Sequence, residues 1–323
     1  MTGRTPSRRG VLRSALLGAA PAVLAGCARG QGPERQLKFA TGAPGGPYNA
    51  FGKALAAQAA HTVPRLRITP VGTSASVDNL RRLQAGSADL GLAMADAADD
   101  AVRGRPPFPY PAARVTALAR VYVNYTHLVV PADGPVRALR DLAGRSVATG
   151  AAGSGGQVLA GRLLDVAGLT GHRAVRQRML GLADSLTALY EGKVDAVIWA
   201  GGVPTPALAA LARRFPLRFL PLEAEAETLR NKYGPVYTAV TLPAGVYGLT
   251  APVGTVGVGN HLLARSGVPD RAASEVLRVV FDRWRVLLEG VTAGARLEPG
   301  FAVATGDVPL HPGAVAYYRS VYG

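Results

Sequence analysis

The chain has one cysteine in 323 residues, 6% aromatic residues and 18% charged residues. A lone cysteine excludes a disulfide framework and any metal site built from several thiolates. So few aromatics argue against a platform on which bases stack. The net charge of +15 raises the question of nucleic acid. Past the N-terminus, however, basic residues come singly or in pairs, such as Arg81-Arg82 and Arg213-Arg214. Without a basic run, nucleic acid is not expected as a partner. Beyond the first 27 residues no stretch reaches the roughly 20 apolar residues that span a bilayer. At 48% hydrophobic, the chain is also too apolar for a disordered protein.

Catalytic signatures are scarce as well. The five histidines (His61, His127, His172, His261 and His311) are scattered, and no His-x-x-x-His pair occurs. No Gly-x-Ser-x-Gly elbow is present. Glu223, Glu225 and Glu227 read as a solvated helix face. Asp96, Asp184 and Asp195 could hold a metal only if folding brought them together, so no metal, cofactor or enzymatic activity is expected.

What is present begins with an address. Arg8-Arg9 precedes an apolar segment over residues 14–24, and Leu24-Ala25-Gly26-Cys27 follows. Twin arginines before a short apolar run resemble a Tat export signal. Leu-Ala-Gly-Cys resembles a lipoprotein cleavage site, at which the Cys27 thiol would become a thioether to lipid. Residues 1–26 then read as a signal and 27–36 as a polar tether to a membrane surface.

From residue 37 the pattern alternates short β-rich runs with helical stretches, which argues for an α/β architecture with mostly parallel strands. Strands are expected at 37–40, 66–71 and 89–93, each followed by a helix. Residues 115–122 and 127–131 read as extended. A second unit then opens in the same way, with strands at 146–149, 174–180 and 194–199. Residues 253–263 read as extended and 269–290 as helical, with an apolar stripe from Ala273 to Leu288.

Both units begin with strand, glycine-rich loop and helix. The first loop is Thr41-Gly42-Ala43-Pro44-Gly45-Gly46-Pro47-Tyr48, and the second is Gly150-Ala151-Ala152-Gly153-Ser154-Gly155-Gly156-Gln157. Glycine lets backbone approach a ligand closely, and exposed N–H groups at a helix start suit an anion. The first loop lacks Gly-Lys-Ser/Thr, so it is no phosphate-binding P-loop. Each loop alone could also be a plain turn. The hydroxyls of Thr73, Ser74 and Ser76 are either helix caps or donors to a ligand. Trp199 is either core or a ligand wall, and Gly201-Gly202 either binds or simply turns the chain.

The order of these segments resembles the TAXI-type solute-binding proteins, receptor subunits of a branch of the TRAP transporters. The resemblance rests on Thr41-Gly42 through Tyr48 and Gly52, Ser76-Val77-Asp78-Asn79-Leu80, Ala88-Asp89-Leu90, Gly153-Ser154-Gly155, Gly201 through Pro206, and Leu310-His311-Pro312-Gly313-Ala314. It implies a type II periplasmic-binding-protein fold: two α/β lobes, a ligand cleft between them and two crossing strands, near 124–131 and 238–249. Lobe 1 would comprise 37–123 and 250–323, and lobe 2 residues 124–249. The implied role is that of a monomeric, lipid-anchored receptor that hands a small carboxylate, such as a glutamate-like acid, to a TRAP membrane subunit. A receptor for an ABC importer and an enzyme on the same fold are the alternatives.

Ligand contacts are expected from Thr41, Gly42, Gly46, Tyr48, Thr73, Ser74, Ser76, Asp96, Ser154, Gly155, Gly156, Gln157, Trp199 and Gly201. One departure stands out. Gln-Ser is common in the family just before the position of Asp96, and here the pair is Met94-Ala95.

Overall fold

The computed structural model describes Thr2, residues 35–292 and residues 297–322. The expected signal segment, Cys27 and the tether up to residue 34 lie outside the described residues. The first strand, β1 (Arg35–Ala40), starts two residues before the expected position and takes in the end of that tether. Leu37 and Phe39 are buried in it while Lys38 is exposed, the period of two that a pleated strand imposes.

The remaining strands are β2 (Leu66–Val71), β3 (Leu90–Met94), β4 (Val115–Pro131), β5 (Ser146–Ala148), β6 (Arg176–Arg178), β7 (Ala196–Gly201), β8 (Leu217–Leu220), β9 (Tyr237–Leu242) and β10 (Val253–Arg265). The helices are α1 (Pro47–Thr62), α2 (Ser76–Ala85), α3 (Ala95–Arg103), α4 (Gly155–Val166), α5 (Leu182–Tyr190), α6 (Pro206–Ala212), α7 (Glu223–Tyr233), α8 (Asp270–Asp282), α9 (Trp284–Glu289), α10 (Pro299–Ala302) and α11 (Pro312–Tyr322). In the first lobe β1 lies between β2 and β3 and runs parallel to both. In the second, β5 lies between β6 and β7, again parallel to both. Parallel neighbours need helical crossovers, and the helices bury both faces. All five residues of β3 are accordingly buried.

Two long antiparallel strands join the lobes. β4 pairs with β10 through Val115–Tyr125 and then with β7 and β8 through Tyr125–Pro131. β10 pairs with β9 through Val253–Val258 and with β3 through Asn260–Ala264. The return crossing is therefore β10 and not 238–249, which holds β9, a strand whose described pairing is to β10 alone. Gly254, Gly257 and Gly259 give β10 the look of an interrupted strand. Packing demands at least one of them: a β-carbon on Gly257 would lie 2.7 Å from Val240 and 3.0 Å from Val123.

Other boundaries shift modestly. The extended segments 115–122 and 127–131 form one continuous strand. The strand expected at 174–180 shrinks to three exposed residues at the sheet edge, β6. The helix at 269–290 breaks at Arg283, whose φ of −119° and ψ of 15° are not helical. Its stripe still buries Ala273, Val276, Leu277 and Val280 against the first lobe. Among the described residues no helix is long and apolar enough to cross a membrane.

Candidate functional site

Each crossover leaves a strand at its carboxyl end and enters a helix, so the helix starts of the two lobes face one another. Between them lies a cleft of about 400 Å³. Gly46, Ala75, Met94, Ser154 and Gly181, the residues preceding α1, α2, α3, α4 and α5, all line it. Five helix starts thus converge on one space. The first-turn N–H groups of a helix have no partner within it, and they carry the positive end of its dipole. Ala75 sits at φ 78° and ψ −143°, a backbone region that costs a residue with a β-carbon on the order of 1–3 kcal/mol. That strain stands at the entry to α2, directly on the cleft.

Ten of the expected residues line the cleft: Gly42, Gly46, Tyr48, Thr73, Ser74, Ser76, Ser154, Gly155, Gly156 and Trp199. Several already have protein partners. The Tyr48 hydroxyl donates to Asn260 Oδ1 at 2.5 Å, and burial pushes the phenol well above its usual range, so it stays neutral. Ser76 Oγ accepts from the Met94 amide at 3.1 Å. Thr73 Oγ1 accepts from the Ala75 amide at 3.1 Å and so braces the strained turn. Ser154 Oγ accepts from the Gln157 amide at 3.1 Å, a helix cap. The indole of Trp199 donates to Thr205 Oγ1 at 3.1 Å and leaves its ring as a wall.

Four expected residues stand off the lining. Thr41 is fully buried and donates to the Val71 carbonyl at 3.0 Å, tying β1 to β2. Gln157 Oε1 accepts from the Gly153 amide at 2.9 Å and so closes the loop before α4. Gly201 makes room for Trp199, whose Nε1 would lie 2.5 Å from a β-carbon there. Asp96 is buried on α3 and accepts from Tyr237 Oη at 2.9 Å. Arg162, on α4 of the other lobe, donates to that same Tyr237 oxygen at 2.8 Å and also to Asp100. Burial raises the Asp96 carboxyl above its usual range, and Arg162 opposes that rise. Asp96 therefore belongs to a link between the lobes and does not face the ligand space. Asp100 is fully buried in the same link.

Sequence reasoning missed Asn124, Ile198 and the start of α5, all of which line the cleft. The α5 start carried a signal, Gly181 directly before a helix. Asn124 carried none, because it lies within a long strand. It is 4% exposed, and its Oδ1 accepts from no group among the described residues.

Two features fix the electrostatics and the state of the site. Among the described residues, the only ionisable acid or base on its lining is Asp184, which is exposed, apart from the neutral phenol of Tyr48. Among the described residues no lysine, arginine or histidine lines the cleft. The lobes also touch. The Gly153 carbonyl accepts from the Val77 amide at 3.1 Å and the Asp78 amide at 3.3 Å. Among the described residues no cluster of three His, Cys, Asp or Glu is placed to hold a metal ion.

A model of the NMT1-like family matches residues 39–321. The chain is similar to MatC from Rhodopseudomonas palustris, solved with bound malate, at 17% identity and a TM-score of 0.57, over 90% of this chain and 100% of that one. It is similar to the periplasmic binding protein BugD at 15% identity and a TM-score of 0.55, over 89% and 94%. It also matches XAC2383 from Xanthomonas citri, solved with ATP, at 12% identity and a TM-score of 0.51, over 88% and 95%. These likenesses establish the fold: an α/β, two-lobed periplasmic-binding-protein architecture of type II.

Proposed function

The chain belongs to the NMT1-like family, and from that premise we propose that it is an extracytoplasmic solute receptor for a small organic anion. The observation that carries this reading is the convergence of five helix starts on a cleft that no basic side chain lines among the described residues. An anion near one helix start gains about 0.3–1 kcal/mol, and up to about 2 kcal/mol where the site is partly buried. The amides of Gly155, Gly156 and Ser76 are placed to donate to a carboxylate. Tyr48 and Trp199 supply walls for the rest of the ligand. Ligand that touches both lobes binds the closed form better and shifts the population towards it.

The proposed partner is the membrane subunit of a TRAP transporter, which would read the closed surface of this receptor. The order of motifs from Thr41 to Ala314 supports the TAXI branch. A lipid on Cys27 would hold the chain, acting as a monomer, at the outer face of the cell membrane. No catalytic step is proposed, because the cleft presents donors and walls without a paired nucleophile and base.

The test is thermal unfolding against a panel of organic acids, sugars and amines. An anion at about a hundredfold over its Kd should raise stability by about 2.7 kcal/mol. Stabilisation by sugars or amines alone would overturn the reading.

A further inference from the structure

The ligand class can be narrowed from three groups on the cleft, given the receptor reading above. The first is Asn124, on β4 where that strand crosses between the lobes. Its orientation is set by a chain of hydrogen bonds. Asn260 Nδ2 donates to the Tyr122 carbonyl at 3.3 Å, which leaves Asn260 Oδ1 as an acceptor. Tyr48 Oη donates to that oxygen at 2.5 Å and Asn124 Nδ2 donates to it at 3.3 Å. Asn124 must therefore present its nitrogen to Asn260, and its own Oδ1 is left buried without a donor. Buried acceptors are rarely left unmade, so a cleft residue in this state calls for a donor on the ligand.

The second group is the wall. Met94, Leu182, Ile198 and Trp199 line the cleft with carbon and sulfur. The polar tips of Trp199 and Tyr48 are already engaged by Thr205 and Asn260. These walls hold an apolar body and offer a second carboxylate no donor, and stripping a carboxylate of water without replacement is strongly unfavourable.

The third is Asp184. It is exposed at the α5 start and, among the described residues, is the only ionisable acid or base on the lining apart from the neutral Tyr48 phenol. A second anionic group on the ligand would meet a like charge there. An ammonium beside the ligand's carboxylate, for its part, would lie among the positive ends of the converging helices, which oppose a second positive charge.

We infer that the cleft selects a hydroxy monocarboxylate with an apolar body. Its carboxylate sits on the converging helix starts, its neutral hydroxyl donates to Asn124 Oδ1, and its hydrocarbon packs against Met94, Ile198 and Trp199. Dicarboxylates and amino acids are discriminated against.

The experiment is calorimetry of the purified chain with 2-hydroxy-4-methylvalerate, its deoxy analogue 4-methylvalerate, malate and leucine. The hydroxy acid should bind tightest, and each of the others should bind about tenfold or more weakly, the loss expected for one unmade buried hydrogen bond or one uncompensated charge. Asn124→Leu should level the hydroxy and deoxy acids. If that variant does not fold, the ranking on the unaltered chain decides alone. Malate or leucine binding as well as the hydroxy acid would overturn the inference while leaving the anion receptor standing. Equal binding of hydroxy and deoxy acids by the unaltered chain would overturn it too. Failure of all four, with binding of a neutral sugar, would remove both.

Discussion

A β-carbon on Gly155 would lie 2.5 Å from the Ser76 hydroxyl oxygen and 2.9 Å from the sulfur of Met94. Gly155 opens α4 in one lobe, while Ser76 and Met94 belong to helix starts in the other. The missing side chain is what lets the lobes meet. Gly155 has an ordinary helical position, so a valine there is not strained in its own backbone. Gly155→Val should therefore leave the melting temperature of the ligand-free chain close to its original value, hold the cleft open in X-ray scattering and abolish ligand binding. Unchanged affinity would move the ligand away from this contact.

Arg162 joins α4 to Asp96 and Asp100 of α3 through a buried link shared with Tyr237. Removing one partner of a buried pair costs about 3–5 kcal/mol when the remaining charge stays buried. Here the lobes can part and let water reach the carboxylates. Arg162→Met should accordingly show a smaller loss of stability than that figure, an expanded ligand-free form in scattering and weaker ligand binding. A full loss of stability with no change in shape would make the link a local brace only.

Much of this arrangement was legible in the sequence, and the parts that were not share a cause. The strand–loop–helix order and the two glycine loops follow from local signals: glycine at tight turns, Pro47 at a first helical turn, apolar periods of two and of 3.6. Asp96 stands off the cleft lining because its surroundings come in part from α4, some sixty residues further along the chain, and no local pattern reports that contact. Asn124 was missed for the same reason: its unmet oxygen depends on Asn260 and Tyr48. Gly201 and Thr41 were placed in the right neighbourhood but serve it indirectly, one seating Trp199 and the other tying two strands.

His261 is buried, and its Nδ1 has no partner among the described residues. Burial, aided by the positive charge of Arg120, lowers its pKa from 6.5 to about 4. Between those values the unfolded chain binds a proton that the folded chain refuses, so stability falls as pH drops through that window, by up to about 1.4 kcal/mol per pH unit. His127, lowered to about 4 by burial, adds to the same trend. Asp96 and Asp99, both raised chiefly by burial, oppose it, because the folded chain takes up their protons first. His261→Leu isolates one contribution: its stability relative to the unaltered chain should rise steadily as pH falls from 6.5 towards 4. Parallel curves in denaturant titrations at each pH would contradict this.

The proposed lipid anchor has its own test. Cys27→Ala should move the protein from the membrane fraction to the soluble fraction of the same compartment, while leaving the affinity of the folded part for its ligand unchanged. Full retention on membranes would remove the anchor from the account.

The most direct measurement is a crystal structure of the chain grown with a bound organic acid. The acid group should lie within hydrogen-bonding distance of the amides that open α2 and α4, near Ser76, Gly155 and Gly156, with no arginine or lysine touching it. A ligand held elsewhere, or one without an acid group filling that space, would contradict the reading of the cleft as an anion receptor.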